Sequence, residues 1–432
     1  MSTTNKRNLC STMRADKFSN LPPEITVRIL ENLPLADAVR TSTLSRYWRT
    51  KWVHISQLIL DHHFFISIVE NSSTTNIIEE LTNAVNSIFS RLVGPIRKFE
   101  LYIFSWLEGA ELDRWVKFVS GKGVKEFTLI DCRQPGKTLP PSLFSCVGLT
   151  QLTLVNCSLH SLPLSFQGFP CLVNFEFLVN RQGSHAEEPV LEDFVSMHCP
   201  QLNRLRLIGG WCFGITIHAP KLEDLVLVGV SPYIIFEGVT KIKRLELYLP
   251  WVLRMQEIFS SLTFMEKLTL SDLFWMLNGH CEVRPPATLA NELVQLAHLE
   301  LIRLPLNCPF AVSAVLCLFQ SSPRLTHLSI RASSCRSCSD KPHKMVEECT
   351  FPSIKTVKLS WISGLTTELQ FIKFLLATTP MLEVMTIEIN EDAKPELLSF
   401  VEELKQFPCG CASKNAKILL NLITNKDIVD CQ

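Results

Sequence analysis

One spacing recurs along most of this 432-residue chain: an apolar residue, two of any kind, a second apolar residue, one of any kind, and a third. It is plainest at Leu149-x-x-Leu152-x-Leu154-x-x-Cys157. The first residues of successive copies are Ile96, Val124, Leu149, Leu172, Leu202, Leu222, Ile242, Met265, Leu296, Leu325, Ile354 and Leu382. From 96 to 382 is 286 residues over eleven intervals, a mean of 26, with single spacings of 20 to 31. A copy of that length cannot bury its own apolar side, so the copies must stack and share one continuous core. An outlying copy, Ile55-x-x-Leu58-x-Leu60, is expected to supply the first strand of the array.

A mean of 26 lies inside the window of about 20–29 residues that leucine-rich repeats occupy. The fold class is therefore α/β: a solenoid with a parallel strand array, one short strand per copy. In each strand the last two apolar residues point inward and the residue between them outward. At about 4.8 Å per strand, twelve strands give a concave face roughly 55–60 Å along its arc. Leu191 to His198 and Val312 to Gln320 read as helices of the opposite side. Pro170, Pro200, Pro220, Pro323, Pro352 and Pro380 precede copies and are expected to start strands. The outward row reads Glu100, Thr128, Thr153, Glu176, Arg206, Val226, Glu246, Thr269, Glu300, Ser329, Lys358 and Thr386. Of these, Thr153, Glu176, Arg206, Glu246, Glu300 and Lys358 are the candidate face for a bound macromolecule.

Residues 16–52 read differently. Pro22 and Pro23 suit a helix's first turn, and Glu24 suits the positive end of its dipole. Ile25, Ile29, Leu30 and Leu33 follow at helical spacing, Pro34 ends the helix, and a second is expected from about Asp37. Val39, Leu44, Trp48 and Trp52 then share sides, with Ile29 and Trp48 expected in a small helical core. So short a segment buries little surface alone and needs a partner or the following domain.

Lys and Arg number 42, as do Asp and Glu, so the net charge is zero and gives no long-range pull toward nucleic acid or anionic membrane. Hydrophobic residues at 47% exclude disorder for most of the chain. The longest apolar run, Ala311 to Phe319, is about half the ~20 residues a bilayer needs, so no membrane span is expected. Met1 to Met13 is polar and is not expected to act as a secretory signal. The 16 cysteines lie mostly beside apolar residues and read as reduced thiols, which fits a cytoplasmic or nuclear protein.

Cys335-x2-Cys338-x4-His343-x5-Cys349 supplies the donor atoms of a zinc site, but without the glycines, aromatics or basic surroundings of a nucleic-acid-binding knuckle. It is set aside, with no metal assigned. His62-His63 reads as a solvated strand end. No phosphate loop, nucleophile elbow or two-histidine metal helix occurs.

Two stretches carry a family resemblance. Asp16-x-Phe18-Ser19-x-Leu21-Pro22-x-Glu24-Ile25, with Ile29-Leu30-x-x-Leu33-Pro34 and Asp37-Ala38-Val39-Arg40-Thr41-Ser42-x-Leu44-Ser45-Arg46-x-Trp48-Arg49, resembles a plant F-box. Pro23 departs from the commonest pattern, where Asp stands. The stretch containing Phe351, Ile354, Val357, Leu359, Glu368, Phe371, Leu375, Pro380, Leu382 and Met385, and then Ala412-Ser413-x-x-Ala416, resembles the FBD domain that follows F-box and leucine-rich repeats in plants. The resulting plan is a tail (1–15), F-box (16–52), repeats (53–350), FBD domain continuing the repeats (351–425) and a second tail (426–432).

The resemblance implies a non-catalytic substrate receptor of an SCF-type ubiquitin ligase. Its F-box would dock a Skp-family adaptor, and through it a cullin, while the repeats hold an unknown target protein. The implied adaptor contacts are Leu21, Pro22, Ile25, Leu30, Leu33, Pro34 and Val39. A scaffold with weak or absent adaptor binding is the alternative, and a zinc-dependent nucleic-acid binder a third. Hormone-receptor relatives hold an inositol polyphosphate on a basic floor. Only Arg206 and Lys358 are basic in the outward row here, so no cofactor is expected.

Overall fold

Within each unit the strands of the array pair with their neighbours in parallel. The computed structural model describes residues 21–72, 76–133, 138–159, 161–182, 188–210, 215–229, 234–248, 258–259, 262, 264–271, 288–335, 338, 349–390 and 416–423. The chain divides into two units, 1–134 with 140–149, and 135–139 with 150–432.

The first unit opens with α1 (Pro23–Glu31) and α2 (Leu35–Arg40), followed by three short 3-10 turns at Thr41–Thr43, Trp48–Thr50 and Trp52–His54. The second helix thus begins at Leu35, not near Asp37, because Pro34 serves as its N-cap rather than only as a stop. Then come β1 (Gln57–Leu60), α3 (His62–Val69), α4 (Ile77–Arg91), β2 (Lys98–Ile103), α5 (Gly109–Ser120) and β3 (Glu126–Asp131). The outlying copy does form a strand: β1 pairs β2 in parallel, and β2 pairs β3. His62 and His63 do not end a strand. They open α3, whose first turn is capped by Asp61 accepting the Phe64 N–H at 2.8 Å. Where β3 ends, buried Asp131 takes both Nε and Nη2 of Arg133 at 2.7 Å in a bidentate pair.

The second unit carries β4 (Gln151–Val155), β5 (Asn174–Gln182), α6 (Glu188–His198), β6 (Arg204–Gly210), β7 (Ile215–Ile217), β8 (Asp224–Val228), β9 (Ile234–Phe236), β10 (Arg244–Tyr248) and β11 (Lys267–Ser271). It continues with β12 (His298–Pro305), α7 (Pro309–Gln320), β13 (His327–Ser333), β14 (Thr356–Ile362), α8 (Thr366–Thr378), β15 (Val384–Asn390) and β16 (Lys417–Ile423). Its main sheet runs β4-β5-β6-β8-β10-β11-β12-β13-β14-β15-β16, all parallel, while β7 and β9 form a separate pair. Ile418–Ile423 lies within β16, which pairs with β15 in parallel. Leu397–Leu404, an amphipathic stretch of the sequence, lies outside the described residues.

Every anchor from Ile96 to Leu382 is buried, and so are the two inward residues of each strand that follows. Each such Leu or Phe contributes about 1.5–3 kcal/mol on burial, so stacking copies supplies the core that no copy has alone. The six prolines do not begin strands. Each is the second residue of a turn whose fourth residue, the anchor, donates its N–H back to the first. Examples are Leu172 to Phe169 O and Leu202 to Cys199 O, both at 3.1 Å, and Leu382 to Thr379 O at 3.2 Å. Proline's fixed φ suits that second position. The next two N–H groups then fork onto one carbonyl of the preceding copy: Asn203 and Arg204 onto Val173 O, Lys355 and Thr356 onto Thr326 O. In β12 and β14 the register slips between Leu301 and Leu304 and between Leu359 and Ile362, with Arg303 (φ 58°) and Trp361 (φ 66°) left-handed at the bulges.

Beyond β14 the carboxylate of Glu368, 1% exposed, accepts the N–H groups of Ser363, Gly364 and Leu365 at 2.9, 2.8 and 2.9 Å. It ties the loop to the first turn of α8.

Candidate partner-binding faces

α1 is mounted with its apolar stripe pointing away from the module. Its inner face is Thr26 and Leu30, 0% and 1% exposed, while Ile25, Ile29 and Leu33 stand at 45%, 37% and 39%. The cause is local hydrogen bonding. Thr26 Oγ1 donates to Pro22 O at 3.1 Å and lies 3.2 Å from the Tyr47 hydroxyl, which donates to Leu21 O at 2.9 Å. Glu31 at the other end accepts from Ser56 N at 2.7 Å and Ser56 Oγ at 2.6 Å, and so fixes the helix against the start of β1.

With Pro22 and Pro34 exposed, and Leu21 and Val39 half-buried, six of the seven expected adaptor contacts lie at or near the surface. Leu30 does not: it is buried, as are Leu35, Ala38, Trp48 and Trp52 of the same module. Ile29 moves the opposite way, from expected core to surface, whereas Trp48 is buried as expected. Leu44, 71% exposed, extends the apolar surface and was not among the expected contacts. Its position after the 3-10 turn Thr41–Thr43, not helical periodicity, exposes it. A stripe of this kind is costly to leave in water and is the usual mark of a docking surface.

The second face is the open side of the strand ladder. Register places Thr153, Glu176, Arg206, Val226, Glu246, Thr269, Glu300, Ser329, Lys358, Thr386 and Leu419 on one row. All six candidate residues of that row are accessible, with Arg206 and Lys358 the most exposed. Lys358 is tied to Glu388 at 2.8 Å. Two further rows flank this one. On one side Arg204, Asp224, Arg244, Lys267, His298 and His327 form a charged row, in which Arg244 holds Asp224 at 2.7 Å and the two histidine rings stack at 4.3 Å. On the other side Val155, Leu178, Ile208, Val228 and Tyr248 run in register across five strands, all half-buried. The anchor period does not single out this apolar row. Its signal is the residue immediately after each second inward position.

Three cysteines of the zinc run fall among the described residues. Cys335 and Cys338 share the amide of Asn307, which donates to both carbonyls at 2.8 and 3.2 Å. Cys349 instead accepts from Gln320, and His343 lies outside the described residues. Among the described residues no group of three or more His, Cys, Asp or Glu is placed to hold a metal ion. The described cysteines are free thiols, and burial pushes Cys146 and Cys199 up to about 12, so they pack as small hydrophobes. Among the described residues no helix is long and apolar enough to cross a membrane.

A helical module with an outward apolar stripe, set before a parallel ladder of leucine-rich copies, defines a repeat protein of the partner-binding kind. Family models identify its parts: F-box domain over residues 18–56, the leucine-rich repeats of FBD-associated F-box protein At5g56370 over 112–264, and FBD over 342–387. The chain thus combines regions that match the F-box, leucine-rich-repeat and FBD models. Among Arabidopsis thaliana relatives, F-box/FBD/LRR-repeat protein At1g13570 is 28% identical over 91% of this chain and 96% of its own. FBD-associated F-box protein At5g56370 is 24% identical over 86% and 90%. An internalin of Listeria monocytogenes aligns over 79% of this chain and 89% of its own with a TM-score of 0.32 at 12% identity.

Proposed function

We propose that this chain is the substrate-recognition subunit of an SCF-type ubiquitin ligase, working as a non-catalytic adaptor in the cytoplasm or nucleus. α1 and the surface around Leu44 dock a Skp-family adaptor, which brings a cullin, and the open strand face holds the target protein. The observation that carries this reading is the inverted mounting of α1. A hydroxyl residue, Thr26, faces the module's interior while two isoleucines and a leucine face out, within the stretch matched by the F-box model. An apolar stripe turned outward at the expense of a polar residue turned inward fits a protein partner that completes the core.

The test is a binding titration of the full chain against a Skp-family adaptor, comparing wild type with Ile25→Asp and Leu33→Asp. Both positions are solvent-facing, so the variants keep the wild-type melting temperature. Binding at least tenfold weaker in both supports the reading. A folded wild-type chain that does not bind removes it and leaves a repeat scaffold.

A further inference from the structure

We propose that the open face at β10–β12 is a receptor for a basic side chain of the partner protein. A lysine or arginine enters between Glu246 and Glu300, its N–H donors meet the two carboxylates above the buried Thr269 hydroxyl, and neighbouring apolar residues of the same partner lie along the row that ends at Tyr248. This rests on the strand face being the target-holding face and names the chemistry it selects.

Three observations converge. The first is charge left unmatched. Four other carboxylates of the ladder have cations: Asp224 has Arg244 at 2.7 Å and Arg204 at 3.7 Å, Glu223 has Lys243 at 3.0 Å, Glu383 has Lys355 at 3.1 Å, and Glu388 has Lys358 at 2.8 Å. Among the described residues no cation lies within ion-pair distance of Glu246 or Glu300. Arg206, two strands along the same row, does not reach them.

The second is a buried hydroxyl without a partner. Thr269 sits between Glu246 and Glu300 in register. Its neighbours Leu268 and Leu270 are fully buried, so alternation turns Thr269 to the open face. The residue is 2% exposed, and its Oγ1 has no hydrogen-bond partner. Adjacent parallel strands lie about 4.8 Å apart, which puts the two glutamates roughly 9.6 Å apart with the hydroxyl midway. Two acceptor-only carboxylates around a hydroxyl ask for a donor-rich cation. Ammonium has three donors and guanidinium five, and neither accepts.

The third is the wall beside it. Tyr248 follows Glu246 on the same face and starts the apolar row. Burial raises its phenol, the nearby charges of Glu246 and then Glu300 raise it further, and Arg206 opposes them. An aromatic edge over an ammonium or guanidinium adds cation–π attraction. The four aliphatic residues beyond it offer a dry strip about 14 Å long at strand spacing.

The experiment pans a random dodecapeptide library against the immobilised full chain. The bound peptides should carry Lys or Arg beside two or more aliphatic or aromatic residues. The best peptide is then titrated against wild type and Glu246→Gln/Glu300→Gln, and again with its basic residue replaced by Gln. Each change alone should weaken binding at least tenfold, and the two together should cost no more than either. The double variant should melt at the wild-type temperature or above, because it removes two like charges. Absence of enriched peptides, enrichment without a basic residue, or additive losses would overturn the site. So would a melting temperature several degrees lower, which would make the carboxylates structural. Adaptor titrations on the same proteins separate the two readings: a chain that selects basic peptides yet ignores the adaptor keeps this site and loses the ligase role.

Discussion

α1 and β5 are each nine residues long and comparably apolar, yet they use their large side chains in opposite ways. Phe175 and Phe177 of β5 are 0% exposed, and Phe175 leans on Phe194 of α6 with ring centroids 4.9 Å apart. Ile25 and Ile29 of α1 are 45% and 37% exposed. The strand has a neighbour on either edge and a helix behind it. The helix has a small module behind it and nothing described in front. Apolar residues in the ladder are thus structural, whereas those on the outer stripe of α1 are interfacial, and the same residue types carry different information.

The largest expected effect tests that contrast directly. Phe177→Ala should cost about 3–5 kcal/mol, the usual range for a large core side chain cut to Ala, and leave adaptor affinity per folded molecule unchanged. Ile29→Ala should change stability by about 0.5 kcal/mol or less, as surface substitutions do, and weaken adaptor binding. Chemical denaturation and adaptor titration of both proteins give the answer. Equal stability losses would erase the distinction between the two regions.

Polar pins inside the ladder come next. Asp131→Ala strands the half-enclosed Arg133 and should cost about 3 kcal/mol, since breaking a buried pair leaves an unmatched charge. Glu368→Gln keeps the shape of the side chain but offers its three N–H donors a single neutral acceptor oxygen. It should cost about 2 kcal/mol, the scale of hydrogen bonds to a charged group. Amide hydrogen exchange at Ser363, Gly364 and Leu365 should quicken selectively. Exchange that quickens across the whole ladder instead would mean that Glu368 supports more than its own loop.

The sequence made the ladder legible because its constraint is repeated: each copy must supply an anchor and two inward residues at fixed offsets, and a chance match does not recur twelve times. The helical module offered a single copy. Ile25, Ile29, Leu30 and Leu33 all fit one amphipathic stripe, and spacing cannot say which edge of it faces in. The choice fell to a hydroxyl, Thr26, and to Tyr47, whose bond to Leu21 spans 26 residues and leaves no local pattern. Similarly, the outward row was readable, but not the unmatched state of Glu246 and Glu300 within it, because that depends on where distant lysines and arginines do not reach. The bulges at Arg303 and Trp361 escaped for the same reason, since nothing in either residue type announces a left-handed backbone.

The smallest effect sharpens the comparison from the open face itself, the part of the ladder that contributes least to its core. His298 and His327 stack in register on the charged row, with Lys267 beside them, and Thr326 Oγ1 holds His327 Nδ1 at 2.8 Å. Burial, then His327, then Lys267 lower His298 below the ordinary 6.5. A histidine lowered on folding resists a proton that the unfolded chain accepts. Its neutral stacked form therefore adds stability above pH 6.5, and that increment is lost as the pH falls below it. Both rings are exposed, so solvent screening keeps the increment small. Melting temperatures of wild type and His298→Phe between pH 5 and 8 should converge at the acid end in favour of the variant, which keeps a flat ring and cannot be charged. Parallel profiles would show that the stack is incidental, and that the open face of the ladder is free to serve a partner without any stake in the fold.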